Sequence, residues 1–195
     1  MKLASHNTFT YLKVRQWWLR PFAFTARCQR KDIWEQLIYG ARMFDLRVRF
    51  RDGKPVIAHG LMEYKMKREE LSRILNELNE STSIHMRVTL ENNNPDMVQR
   101  EGFYFFCLHL HRDYPNIKFF GGTDRKDWES PIYNFGQSFK IDHEYSSATS
   151  RFSKGPRWLR FIDDLYPIGY AKRYNQRNKW KEGQEWIMVD FVDIG

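Results

Sequence analysis

Two histidines, an arginine and three carboxylates stand out in this 195-residue sequence for what they could do together. His6 lies in Ser5-His6-Asn7-Thr8 and His59 in Ala58-His59-Gly60. Asp45 and Arg47 are two residues apart, and Glu91 and Asp190 follow downstream. Two imidazoles near an arginine suit phosphoryl transfer. One neutral ring accepts a proton from an attacking hydroxyl, and one imidazolium protonates the leaving oxygen. Both forms are accessible near neutral pH, because an unperturbed histidine has a pKa of about 6.5. Arg47 can hold phosphate oxygens with its planar fork and stabilise charge in the transition state. A buried carboxylate beside a histidine fixes its tautomer and raises its basicity. Each residue also has a plainer reading. A strand histidine can be structural, Arg47 can simply pair with Asp45, and Glu91 can cap a helix after Pro95.

These residues must be positioned by backbone, and the pattern supplies it. Short apolar stretches predict strands over 2–5, 43–50, 55–59, 85–91, 117–120, 139–142 and 186–191. Phe44, Leu46, Val48 and Phe50 alternate with Asp45, Arg47 and Arg49, so Asp45 and Arg47 point to one face. Arg51-Asp52-Gly53-Lys54 reads as a hairpin turn. Helical spacing predicts helices over 31–39, with Gly40 as the stop, and over 68–78. A third is expected over 95–111, with Asn94 as cap and Pro95 in the first turn, and a fourth over 156–165. His109 and His111, two apart in the third helix, do not share a face and read as structural.

Strands separated by helices imply an α/β fold with a mostly parallel sheet or barrel. Barrel sites gather at the C-terminal ends of strands, where His6, His59 and Glu91 fall, with Asp190 in the last strand. A full (β/α)8 barrel takes about 250 residues. The expectation is therefore one domain holding a small, irregular or incomplete TIM-type barrel.

The formal charge of +8 favours anionic partners, though it also serves solubility. Cys28 and Cys107 supply neither a disulfide framework nor zinc-ligand spacing. No run is long and apolar enough to span a bilayer.

Three motifs resemble a known family. Ser5-His6-Asn7-Thr8-Phe9 resembles the first catalytic segment of the phosphatidylinositol-specific phospholipase C X domain. Gly40-Ala41-Arg42-Met43-Phe44-Asp45-Leu46-Arg47 is similar to its second strand. Asp52-Gly53-Lys54-Pro55-Val56-Ile57-Ala58-His59-Gly60 is similar to its second histidine segment. Cys28-Gln29, Ile33 and Gln36-Leu37 resemble the helix leading into Gly40, and 186–191 resembles the strand whose aspartate supports the first histidine. The likeness is specific over the first third and looser after Glu91.

The resemblance implies a lyase-type phosphodiesterase of lipid metabolism. His6 would be general base toward the inositol 2-hydroxyl, and His59 would protonate the departing diacylglycerol oxygen. A cyclic inositol 1,2-phosphate would form. Arg47 would bind phosphate, Asp190 would orient His6, and Asp45 would support the cluster. Asn7 and Glu91 would contact substrate. Ile141-Asp142-His143-Glu144-Tyr145 resembles a later segment in which an aspartate contacts inositol and a tyrosine stacks on its ring. Tyr145 is the first candidate there, followed by Asp142 and His143.

Arg47 bears on the metal. The resembled calcium-dependent members carry an acidic ligand at its position and bacterial members carry arginine, so no cofactor is expected. Asn7 and Glu91 resemble the calcium enzymes instead, because bacterial members usually have aspartate and lysine at those positions. Asn7, Asp45 and Glu91 are therefore the alternative calcium ligands, a small set for an ion that takes six to eight oxygens.

Trp17, Trp18, Phe22 and Phe24 lie among Arg15, Arg20 and Arg27. This pattern suits transient contact with a membrane surface, and equally core packing. The expected partner is a phospholipid or inositol phosphate rather than nucleic acid; oligomeric state is not legible. With no apolar signal core after Lys2, the sequence as written is expected in the cytoplasm, or outside the cell if a leader was removed. Two rivals remain open. One is a module that binds phosphoinositide or inositol phosphate without turnover. The other is a metal-dependent barrel phosphodiesterase acting on glycerophosphodiesters or sphingolipids, which Arg47 disfavours.

Overall fold

The computed structural model describes residues 2–81, 83–123, 145–148, 156–175 and 186–194. Its organising strand is β2 (Ala41–Arg51). The alternation along β2 puts Phe44, Leu46, Val48 and Phe50 into the main apolar core, with Ile33, Leu75, Leu78 and Phe103. Asp45 and Arg47 take the opposite face, and both are buried. A strand buried on both faces with charges on one of them fits a barrel whose interior carries polar groups.

Two strands flank β2 in parallel: β1 (Lys2–Ser5) and β5 (His85–Leu90). β1 continues to β8 (Trp186–Val189), and β8 to β7 (Tyr145–Ala148), both parallel. β5 pairs in parallel with β6 (Lys118–Gly122). β3 (Lys54–His59) returns antiparallel on the outer half of β2 through the Asp52-Gly53 turn, where both residues have positive φ. The short β4 (Met62–Glu63) pairs with β3. Among the described residues β6 and β7 do not pair, so the parallel sheet is an incomplete TIM-type barrel.

The interior is layered. Ala4, Met43, Phe120, Trp186 and Met188 form a separate apolar cluster at its base. Met43, Asp45 and Arg47 share one face of β2 by the period of two, so the charged pair stands directly above this plug. Arg87, in register with Asp45 on β5, donates to it.

The helices cover the outside. α1 (Ile33–Ile38) opens with a capping box made by Asp32 and Glu35. α2 (Arg68–Asn79) buries Ile74, Leu75 and Leu78. Truncating a buried leucine of this kind to alanine costs about 2–5 kcal/mol. α3 (Met97–Asp113) starts later than its sequence suggests, because Asp96, not Asn94, caps it in a box with Gln99. α4 (Arg157–Leu165) and α5 (Pro167–Tyr174) follow, the second with Pro167 in its first turn. The aromatic stretch Trp17–Thr25 is a 3-10 helix containing Pro21 that buries none of its residues. The strand expected over 139–142 lies outside the described residues.

Candidate active site

Three strand ends deliver the site, and all three leave in the same way. His6, His59 and Asp190 are each followed by a left-handed residue: Asn7 (φ 44), Gly60 (φ 58) and Phe191 (φ 54). Asp190 stands just past β8, which ends at Val189, rather than inside the strand as its sequence suggests. Left-handed backbone is easy for glycine, tolerated by asparagine and strained for a bulky side chain such as phenylalanine. Each left-handed residue has its N–H held. Asn7 donates to Asp45 Oδ2 (3.1 Å), Gly60 to Glu91 Oε1 (2.9 Å), and Phe191 to the Cys28 carbonyl (2.6 Å).

The side chains then converge. His6 Nδ1 lies 2.7 Å from Asp190 Oδ1. A carboxylate only accepts, so Nδ1 carries the proton and Nε2 presents its lone pair. That Nε2 faces Arg47 Nη2 at 2.9 Å and Asn7 Nδ2 at 3.2 Å. His59 Nδ1 donates to the Ala26 carbonyl (2.9 Å), so its Nε2 is likewise an acceptor, 3.2 Å from Asn7 Nδ2. The two imidazoles stand edge to face with centroids 6.4 Å apart.

Arg47 ties the cluster together. Its Nε is 2.9 Å from Asp45 Oδ2, and its Nη1 is 3.7 Å from Glu91 Oε2. Burial alone would raise the Asp45 pKa, but Arg47, Arg87 and His6 outweigh it and hold the carboxyl well below the usual range. Burial opposes the Arg47 charge too, and Asp45 and Glu91 restore it. His59 is pushed down to about 4, by burial first and by Arg47 second, with Glu91 opposing. Burial and then Asp190 push the Cys28 thiol well up.

Asn7, Asp45 and Glu91 do not fit calcium. The Asp45 oxygens already serve Arg47, Arg87 and the Asn7 N–H, and Glu91 serves Gly60 and Arg47. The side chain of Asn7 turns its amide nitrogen, not its oxygen, toward both histidines. A guanidinium spans the two carboxylates where a cation would stand.

The structure therefore brings together His6, Asn7, Asp45, Arg47, His59, Glu91 and Asp190. Glu91 caps no helix; it holds the turn after His59. Tyr145 opens β7, while Asp142 and His143 lie outside the described residues. Trp17 and Trp18 are 71% and 58% exposed, away from the core. Sequence reasoning missed Arg87, although its spacing puts it on the same strand face as Glu91. It also missed that Cys28 sits beside His6 and Asp190, which no sequence spacing signals.

The chain overlays on solved structures over nearly its whole length. A phosphatidylinositol-specific phospholipase C from Listeria monocytogenes aligns with a TM-score of 0.67 and 15% identity, covering 97% of this chain and 87% of that one. The fold is that of these bacterial phospholipases C. A phosphatidylinositol-specific phospholipase C from S. aureus aligns with a TM-score of 0.50 and 16% identity, covering 97% and 85%. A double mutant of the S. aureus protein gives 0.51 and 17%, covering 97% and 84%. No family model and no curated protein sequence matches the chain.

Proposed function

We propose that this chain is a phosphodiesterase that cleaves phosphatidylinositol, or a related inositol phosphodiester, by attack of the inositol 2-hydroxyl on phosphorus. The observation that carries this reading is the Asp190–His6–Arg47 line, 2.7 and 2.9 Å long, facing a second histidine across 6.4 Å. That arrangement supplies a base with a fixed tautomer, a phosphate-binding cation and a second proton site on the other side of the reacting phosphorus.

The steps follow from the residues. Substrate phosphate takes the Arg47 Nη2 donor and thereby releases the His6 Nε2 lone pair. His6 removes the 2-hydroxyl proton, Asp190 stabilises the resulting imidazolium, and the oxygen bonds to phosphorus. Protonated His59 gives its proton to the departing diacylglycerol oxygen as that phosphorus–oxygen bond breaks. The product is a cyclic inositol 1,2-phosphate. Because Arg47 fills the space between Asp45 and Glu91, no metal enters the scheme. His59 must gain its proton against a pKa of about 4. An anionic phosphate beside Arg47 offsets the cation that depresses it. Rotation of the Asn7 amide would then turn Oδ1 toward the His59 Nε2–H.

Substrate access at a lipid surface belongs to the same reading. The exposed Trp17 and Trp18 precede Ala26, which holds His59, so the aromatic 3-10 helix leads directly into the site.

The depressed His59 pKa favours a second reading, in which the site holds an inositol phosphate or phosphoinositide without turning it over. One experiment separates the two: incubation with phosphatidylinositol micelles in EDTA or in calcium, followed by phosphorus NMR. A cyclic phosphate signal in EDTA, lost by about 10²–10⁴-fold in His6→Ala and His59→Ala, is the expected result. Wild-type turnover in either variant would sink the assignment. No signal from folded protein would favour the binding module.

A further inference from the structure

Cys28 is not needed for the chemistry above, yet its thiol is built into the site. Its backbone is pinned from both sides: the N–H donates to Thr10 Oγ1 (2.9 Å) and the carbonyl accepts from Phe191 (2.6 Å). Asn7 Nδ2 donates to Sγ at 3.3 Å. The ligand atoms of His6, Cys28 and Asp190 all lie within 4.8 Å of one another, and all three residues are buried. Among the described residues no other group of three histidine, cysteine or acidic side chains meets so closely.

We propose that His6, Cys28 and Asp190 form an inhibitory site for a thiophilic divalent cation, Zn2+ above all. Imidazole, thiolate and carboxylate are each zinc ligands, and three protein ligands leave the fourth tetrahedral place to water. Tetrahedral zinc, with bonds of about 2.0–2.3 Å, keeps its ligand atoms about 3.3–3.6 Å apart. The group needs to open by about half an ångström between His6 and Asp190, 2.7 Å apart, and to draw sulfur in by up to about 1.2 Å from the 4.8 Å that bounds the group. Soft sulfur selects zinc over calcium or magnesium. The buried charges also suit a cation. Asp45, Glu91 and Asp190 outnumber Arg47 and Arg87 even before the thiol ionises.

Binding inhibits through proton placement. Zinc displaces the Cys28 thiol proton to solvent. It takes the His6 Nδ1 lone pair, so the Nδ1 proton must move to Nε2. An Nε2–H cannot act as base, and it confronts two donors, Arg47 Nη2 at 2.9 Å and Asn7 Nδ2 at 3.2 Å. The Asp190 support is lost in the same event. The inhibition rests on the proposed acid–base role of His6, while the binding does not.

The test reads metal and turnover separately. Wild-type protein is titrated with Co2+, whose thiolate complexes absorb strongly in the near ultraviolet. The expected result is one cobalt per chain with that band, displaced by Zn2+ and absent in Cys28→Ser and Cys28→Ala of unchanged circular dichroism. Zn2+ should abolish phosphodiester turnover at least tenfold, with full recovery in EDTA. No band, or a band that survives in folded Cys28→Ser, overturns the site. The band with no turnover under any condition upholds the site and instead removes the proposed function.

Discussion

Glu91 reaches across from the end of β5 to accept the backbone N–H of Gly60 at 2.9 Å, directly behind His59. Asp45 does the same for Asn7, behind His6. Both carboxylates also flank Arg47, so one guanidinium is coupled to the two turns that aim the histidines. In the proposed mechanism Glu91 is thus a positioning residue. Glu91→Gln keeps an oxygen for Gly60 and should retain most stability. Glu91→Ala leaves that N–H unpartnered, at a cost of about 1–3 kcal/mol. Denaturant titration and kcat should rank wild type, Gln, then Ala, with Ala at least tenfold slower. Equal rates in Gln and Ala would refute the positioning role.

The sequence carried β1, β2, β3, β5, β6 and β8 but not the short β4 and β7, and the alternation in β2 put Asp45 and Arg47 on one face. His6 and His59 were legible as strand-end residues, whereas Asp190 reads in sequence as lying inside the last strand and stands just past it. What was not legible comes from backbone geometry. Nothing in the residue types announces that Phe191 is left-handed, or that its N–H docks on Cys28. The α3 start was misplaced because Asn94 and Asp96 are both good caps, and only Gln99 selects Asp96 through the box. Arg87 escaped because a buried arginine is rare and its partner Asp45 is 42 residues away.

In the proposed mechanism Asn7 bears on how easily His59 becomes an acid. Its amide nitrogen sits 3.2 Å from both Nε2 atoms and favours neutral rings. Asn7→Asp, also tolerated in left-handed backbone, would place a carboxylate there and favour the imidazolium. The His59 ring, followed by NMR titration of the free protein, should take up its proton at a pH higher by about one unit or more. An unmoved His59 titration in the folded variant would mean that Asn7 does not set it.

The same depressed pKa predicts acid lability. The unfolded chain protonates His59 near its ordinary value of about 6.5, and the folded chain only near 4. Between those values the unfolded state binds more protons, so stability falls as pH drops from about 6.5 to 4. His59→Gln removes this contribution. Urea titrations across that window should show wild type losing more stability than the variant. Parallel losses would place the lability elsewhere.

The exposed aromatics form a face from two elements. Trp17, Trp18, Phe22 and Phe24 stand out from the 3-10 helix, and Trp158 and Phe161, each 65% exposed, from α4. The elements meet where Phe24 lies edge to face with Tyr166, ring centroids 6.4 Å apart. Arg15, Arg157 and Arg160 are exposed on the same segments. Rings that insert, beside guanidiniums that meet phosphate, predict binding to anionic vesicles that weakens with salt. Losing a buried aromatic costs about 1.5–3 kcal/mol. Trp17→Ala with Trp18→Ala should therefore weaken vesicle sedimentation at least tenfold, and Trp158→Ala with Phe161→Ala should do so independently. Turnover of a short, soluble substrate should survive both pairs, since none of these side chains touches the histidines. If only the first pair matters, the lipid face ends at the 3-10 helix; if neither matters, these rings meet something other than lipid.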